Sequence, residues 1–204
     1  AHTPRVVVVT GSPKVFAAGA DISEFAERGG QEPFAISPPE RVAEIGQAFL
    51  RALNSVAAIP CPTIAAVAGV ALGGGCELAL ACDFRIAGES SRFGQPEILL
   101  GIIPGGGGTQ RLPRLVGTSL GLRMLLIGDP LSPAQALESG LVHEVVPLSD
   151  LVKAAKRRAR ALTTPKAPWD RPGASFDAKP FDFSTADAYA QIAKAIGISE
   201  YQMT

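Results

Sequence analysis

Apolar positions along the chain fall into two rhythms, unbroken β-branched runs and three- or four-residue repeats. The first run, Val6-Val7-Val8-Val9-Thr10 after Arg5, reads as a strand buried on both faces, with no visible neighbour before it. Phe16-Ala17-Ala18-Gly19-Ala20-Asp21-Ile22 then reads as a loop, and the Gly/Pro-rich stretch 29–39 as irregular. From Glu40 to Ala57 the residues Val42, Ile45, Phe49, Leu50, Leu53 and Val56 recur at helical spacing and predict an amphipathic helix, which Pro60 and Pro62 stop. Thr63–Val67 is a second buried strand. Residues 68–75 read as a small-residue turn, and a short helix follows from Cys76 to about Ala81. Strands are predicted at 83–87 and 91–94, and helices around 110–116 and 119–127. Ser132 and Pro133 supply an N-cap and a first-turn proline for a helix over 132–139. A strand at 142–146 and a basic helix at 151–162 complete the series, an α/β alternation.

Lys153, Lys156, Arg157, Arg158 and Arg160 surround the apolar stripe of that last helix, a pattern that more often marks a solvated face than a polyphosphate contact. Beyond it Pro165, Pro168, Pro172 and Pro180 alternate with charged residues and too few apolar ones for a core. The expected organisation is therefore one domain over 1–162, then a Pro-rich linker and short C-terminal helix over 163–204.

Charge narrows the partners. Lys plus Arg and Asp plus Glu both number 19, so no overall field favours nucleic acid or an anionic membrane, and a small-molecule partner is expected. The three cysteines, Cys61, Cys76 and Cys82, lack Cys-x-x-Cys spacing, which argues against a disulfide framework or zinc site and suits a reducing compartment. No run approaches the roughly 20 apolar residues of a membrane span, and no leader pattern is visible at Ala1-His2-Thr3. A cytoplasmic protein is the expectation.

The chemistry resides in two glutamates set among glycines and apolar residues, Glu77 in Gly73-Gly74-Gly75-Cys76-Glu77 and Glu97 in Gly94-Gln95-Pro96-Glu97. Burying a carboxylate in such company is costly unless it has a partner or a task. The triple glycine opens a helix, where N–H groups lack intrahelical acceptors and the dipole is positive. A second N–H brought from the loop at Ala20 would complete an oxyanion hole for the enolate of a thioester. Taken singly, each signal has a blander reading: a tight turn for Gly73–Gly75, a helix-terminal acid for Glu77, a cap or surface acid for Glu97, and a turn cap for Asp21. No phosphate-loop or dinucleotide fingerprint is in place, and His2 and His143 are isolated, so a histidine-based triad has no support.

Taken together, Ala18-Gly19-Ala20-Asp21-Ile22, Ile64–Gly69 through Gly74-Gly75-Cys76-Glu77-Leu78, Phe93-Gly94-Gln95-Pro96-Glu97 and Gly101–Leu112 resemble the crotonase superfamily, and within it the enoyl-CoA hydratases. The resemblance runs from about Arg5 to about Leu162 and implies a spiral of ββα units with two roughly perpendicular sheets. It implies oxyanion-hole donors at Ala20 and Gly74, a catalytic pair at Glu77 and Glu97, a glycine near the reacting water at Gly105, and substrate contacts from Ala18, Gly19, Asp21 and Ile22. The implied reaction adds water to a 2-trans-enoyl-CoA in fatty acid β-oxidation, with coenzyme A as part of the substrate and no metal or other cofactor. Isomerases of the superfamily generally use one acid/base carboxylate, so two favour hydration; a Δ3-Δ2-enoyl-CoA isomerase and an inactive acyl-CoA-binding fragment are the alternatives. Family members normally carry a further strand pair and helix before the position of Arg5. Lys166–Gly173 resembles the linker of multifunctional enzymes that add a 3-hydroxyacyl-CoA dehydrogenase. A homotrimer or hexamer, or fusion to such a dehydrogenase, is implied accordingly.

Overall fold

The computed structural model describes residues 4–21 and 38–162. The elements are β1 (Val7–Thr10), β2 (Val15–Ala17), α1 (Pro39–Ala57), β3 (Thr63–Val67), β4 (Val70–Leu72), α2 (Gly74–Ala81), β5 (Phe84–Gly88) and β6 (Arg92–Gly94). A 3-10 turn at Pro96–Leu100 leads to α3 (Gly108–Val116), α4 (Thr118–Ile127), α5 (Pro133–Glu138), β7 (Glu144–Val146), a second 3-10 turn (Leu148–Asp150) and α6 (Leu151–Ala161).

Odd-numbered strands form one parallel sheet in the order β1-β3-β5-β7, and even-numbered strands form another in the order β2-β4-β6. Each strand pair thus gives one member to each sheet before a helix returns the chain, which is the ββα spiral. The hand-over is tight. Only Ala68 and Gly69 separate β3 from β4, and Gly69 takes φ +62°, with the position of an added Cβ only 1.8 Å from the Lys14 carbonyl oxygen. Glycine alone satisfies both demands.

The central strands of the larger sheet are buried on both faces. Ala65, Val67 and Ala87 join Phe16, Leu80, Phe93, Leu112 and Met124 in the main core, while Ile64, Ala66 and Ile86 meet Leu151, Ala154 and Ala155 of α6 on the other side. Each large aliphatic side chain so removed from water contributes about 1.5–3 kcal/mol. The starts of β3 and β5 are pinned by a buried reciprocal pair: Thr63 donates to Asp83 through its N–H and its hydroxyl, both at 2.7 Å, and the Asp83 N–H returns a bond to Thr63 at 2.8 Å.

Several sequence expectations need correction. β1 alternates half-buried and exposed because it lies at the sheet's edge, paired only with β3 among the described residues. The loop expected after it and the turn expected at 68–75 each contain a three-residue strand, β2 and β4. The strand expected at 142–146 is confined to Glu144–Val146. Elsewhere the pattern was informative: α1 starts one residue before its predicted start, β3 matches, and Ser132 caps α5 in a capping box with Gln135. The basic side of α6 is solvated, with Lys153 on Asp150, Arg157 paired to Glu144 and Arg158 over the Phe84 ring. The irregular stretch at 29–37, the linker and the C-terminal helix fall outside the described residues.

Candidate active site

Parallel pairing explains why distant segments meet. Strands β2, β4 and β6 run side by side in one direction, with Ala17 opposite Ala71 and Leu72 opposite Gly94. The residues that follow them, Ala18–Ala20, Gly73–Gly75 and Gln95–Glu97, therefore leave the sheet at one edge, the carboxyl edge, where parallel sheets place their ligands.

At that edge the glycines serve close approach. The position of a Cβ on Gly75 lies 2.0 Å from the Ala17 carbonyl oxygen, and one on Gly74 lies 2.6 Å from Phe49 Cζ of α1. Gly73, the N-cap, has φ +53°. Gly19 packs against the same turn, its Cβ position 3.3 Å from the Gly74 nitrogen and 3.1 Å from the Leu72 oxygen. Gly74 is the first residue of α2, so its N–H has no acceptor within the helix. Ala18, Gly19, Ala20 and Asp21 are exposed. Asp21 has an interaction partner, and Ile22 lies outside the described residues.

Glu77, one turn into α2, is 1% exposed. Its Oε1 accepts the N–H of Gly106 at 2.7 Å and of Gly108 at 2.8 Å. Gly108 is the first residue of α3, so the carboxylate sits at the positive end of a second helix. Burial raises its proton affinity above the ordinary carboxylate range, opposed by those two N–H groups and by the charge of Arg111. Arg111 Nη1 donates to the Gly106 oxygen at 2.9 Å, and Nη2 to Asn54 Oδ1 of α1 at 2.7 Å.

Glu97 is half-buried at the start of the 3-10 turn, its Oε1 3.2 Å from where a Cβ on Gly73 would lie. Burial, aided by the nearby charge of Glu77, pushes its pKa up to about 7 against its own backbone N–H. The fully buried Gln95 lies against Glu97, and with its amide assigned so that the nitrogen faces the carboxylate it donates at 3.1 and 3.3 Å. The same amide approaches the Glu77 side, 2.8 Å from the Cβ position of Gly108, which is itself 3.0 Å from Glu77 Oε1. Gly105 is exposed with no atom within 4 Å of an added Cβ, so it faces open space beside this pair.

Arg85 supports α2 from below. Fully buried on β5, it donates to the Cys82 oxygen at 2.7 Å and the Ala79 oxygen at 3.4 Å, carbonyls at the end of α2, and to the Leu141 oxygen at 2.6 Å. A cation there complements the negative end of the dipole whose positive end lies at Gly74.

Both glutamates, Gly74 and the loop before Ala20 thus lie at one sheet edge. Sequence reasoning missed Gln95, Gly106, Gly108, Arg111 and Asn54. The run Gly105–Gly108 ahead of a helix carries the same signal as Gly73–Gly75, yet which carboxylate its N–H groups receive depends on contacts 29 and 31 residues apart. Among the described residues no group of three His, Cys, Asp or Glu could hold a metal, and no helix is long and apolar enough to cross a membrane.

Two acids partly or fully withdrawn from water thus meet at the carboxyl edge of a ββα spiral, one in α2 and one in the 3-10 turn. The chain belongs to the enoyl-CoA hydratase/isomerase family, whose pattern matches residues 2–179. It is 46% identical over 157 residues to a probable enoyl-CoA hydratase of Mycobacterium leprae, covering 77% of this chain and 57% of that protein. It is 50% identical over 146 residues to the 2,3-dehydroadipyl-CoA hydratase of Escherichia coli, covering 72% and 52%. The crystal structure of an enoyl-CoA hydratase from Bacillus anthracis superposes with a TM-score of 0.68 at 43% identity, over 76% of this chain and 57% of that one. The chain spans little more than half the length of the curated relatives it matches.

Proposed function

We propose that the chain carries enoyl-CoA hydratase activity, adding water to a 2-trans-enoyl-CoA to give the 3-hydroxyacyl-CoA. The observation that supports this reading best is the pair of acids, one buried and one half-buried, with unlike surroundings at one sheet edge. Glu77, its proton affinity raised by burial and its carboxylate held by two N–H groups near Arg111, is suited to take a proton from water. Glu97, with its pKa near 7, is suited to hold a proton and deliver it to carbon.

In this mechanism the thioester oxygen lies between the N–H groups of Ala20 and Gly74. Water loses a proton to Glu77 as its oxygen bonds to the β carbon, and the electron pair of the double bond moves toward the carbonyl oxygen, where the N–H pair stabilises it. Glu97 then protonates the α carbon as the enolate collapses. The elements of one water molecule are added, and a proton passing from Glu77 to Glu97 restores both acids. Ala18, Gly19, Asp21 and Ile22 would contact the thioester and coenzyme A, and Gly105 would orient the water. Carboxylates carry every proton, so the scheme calls for no metal or redox cofactor.

Partner and location follow this reading. Leu99, Leu100 and Ile103, apolar and exposed near Glu97, support assembly into a homotrimer or hexamer. Fusion to a dehydrogenase domain and a cytoplasmic location rest on the linker resemblance and the cysteine pattern.

Incubation of the purified protein with crotonyl-CoA tests the activity, read as loss of the conjugated thioester absorbance and incorporation of labelled water oxygen at the β carbon. Hydration is expected. A protein that moves a 3-enoyl double bond into conjugation without adding water is an isomerase, and one that binds acyl-CoA without converting either substrate is a binding fragment; each result overturns the proposal.

A further inference from the structure

The cradle around Glu77 is itself held in place. Its two N–H donors, on Gly106 and Gly108, belong to a loop with few constraints of its own, since neither glycine has a side chain to anchor it. Arg111 supplies the anchor. Its Nη1 donates to the Gly106 carbonyl at 2.9 Å, its backbone N–H to the Gly107 carbonyl at 2.8 Å, and its Nη2 to Asn54 Oδ1 at 2.7 Å, which ties the loop to α1. Gly107 takes φ +103°, and a Cβ there would lie 2.3 Å from Arg111 Nη1, so the guanidinium occupies the space a side chain would need. A planar fork delivers its two bonds in fixed directions, which a lysine ammonium does not. Glu77 Oε1 thereby receives both N–H groups, while Oε2 accepts no hydrogen bond among the described residues.

Resting on the hydratase reading, we propose that Arg111 is a positioning residue, shaping the Gly106–Gly108 loop so that Glu77 Oε1 is saturated and Oε2 is the oxygen that accepts the proton from water. Arg111 also acts through its charge, lowering the proton affinity of Glu77 against the burial that raises it. Other groups around Glu77 divide by element. Glu97 of the 3-10 turn is itself pushed up by burial and by the Glu77 charge, and Cys76 beside Glu77 in α2 stays a neutral thiol with its pKa pushed up to about 12 by burial. The α1 side presents Phe49 and Leu53, apolar, and Asn54, neutral, to the loop.

The test compares Arg111→Met, Arg111→Lys and Asn54→Ala. Arg111→Met is expected to lower kcat by about 10–100-fold with KM changed less than about three-fold, and to move the acidic limb of the rate profile to higher pH. Arg111→Lys should restore the limb, because the charge returns, while recovering only part of kcat, because the fork does not. Asn54→Ala should give a smaller loss in the same direction. A wild-type pH profile in Arg111→Met, or a loss confined to KM, overturns the proposal; if Arg111→Met does not fold, an unchanged Asn54→Ala does so. A double-mutant cycle in thermal unfolding over Glu77→Gln and Arg111→Met needs no turnover. Non-additive shifts support the link between the two residues even if the wild type proves not to hydrate, and additive shifts overturn it.

Discussion

Glu77 and Glu97 are identical side chains, both withdrawn from water at the same sheet edge, yet the fold surrounds them differently. Glu77 is sealed inside α2 and meets two backbone N–H groups at the start of α3 with a guanidinium behind them. Glu97 sits half-exposed over Gly73 and receives a side-chain amide and its own backbone N–H, with the Glu77 charge working against its ionisation. Burial alone would push both acids the same way. It raises the proton affinity of both, and what opposes it differs: two backbone N–H groups and the charge of Arg111 at Glu77, its own backbone N–H at Glu97.

The most damaging test of that division is Glu77→Gln, which keeps the shape and removes the base. It is expected to lower hydration by about 10²–10⁴-fold with acyl-CoA binding largely intact, and Glu97→Gln should do likewise. Stopped-flow hydration with a separate binding titration checks both. If either variant turns over near the wild-type rate, that glutamate has no part in the chemistry and the contrast is only structural.

Next in size are the neighbouring glycines. An added Cβ on Gly106 would lie 2.4 Å from Leu53 Cδ1 and 2.5 Å from Glu77 Oε2, whereas one on Gly105 meets nothing within 4 Å. Overpacking of this kind costs about 1–3 kcal/mol, so Gly106→Ala should lower Tm by roughly 2–12 °C and disturb the cradle. Gly105→Ala should leave Tm within about 1 °C. Calorimetry on the pair sharpens the comparison, and equal shifts would place the constraint outside the cradle.

A smaller effect tests Glu97 through stability. Its folded pKa of about 7 lies above the ordinary 4.5, so its favourable contribution is full below about 4.5 and is lost as pH rises through about 7, where the folded state resists losing the proton. Glu97→Gln should therefore be more stable than the wild type at pH 8 than at pH 5, read as the difference in Tm. A difference that stays constant with pH breaks the assignment of the raised pKa to this residue.

Least in size is Gln95→Leu. Loss of the amide donors removes stabilisation of the Glu97 carboxylate, so the alkaline limb of the rate profile, where protonated Glu97 is lost, should move up by about one pH unit. A shift downward would mean that Gln95 bonds to the protonated form instead.

The long apolar rhythms were legible without coordinates because they are local. α1 repeats every three or four residues over five turns, and β3 is a threonine followed by four apolar residues, so neither needs a distant partner to be recognised. β2 and β4 escaped because three residues carry no rhythm, and β4 is an Ala-centred stretch between glycines that reads equally as a turn. Ser132-Pro133 was readable because a capping box is a local bargain between residues three apart.

The site divides in the same way. That Glu77 and Glu97 lie among glycines and apolar residues is written in the chain, and it marks them as acids with a purpose. Their protonation is not written there. It rests on Gly106, Gly108 and Arg111 reaching Glu77 across 29 to 34 positions, and on the parallel register of β4 and β6 bringing Glu97 over Gly73. The sequence by itself determined which residues can hold and move protons. Tertiary structure decided what opposes burial at each of the two, because a buried carboxylate's proton affinity is set by the donors and charges within a few ångströms, and strand register chooses those neighbours.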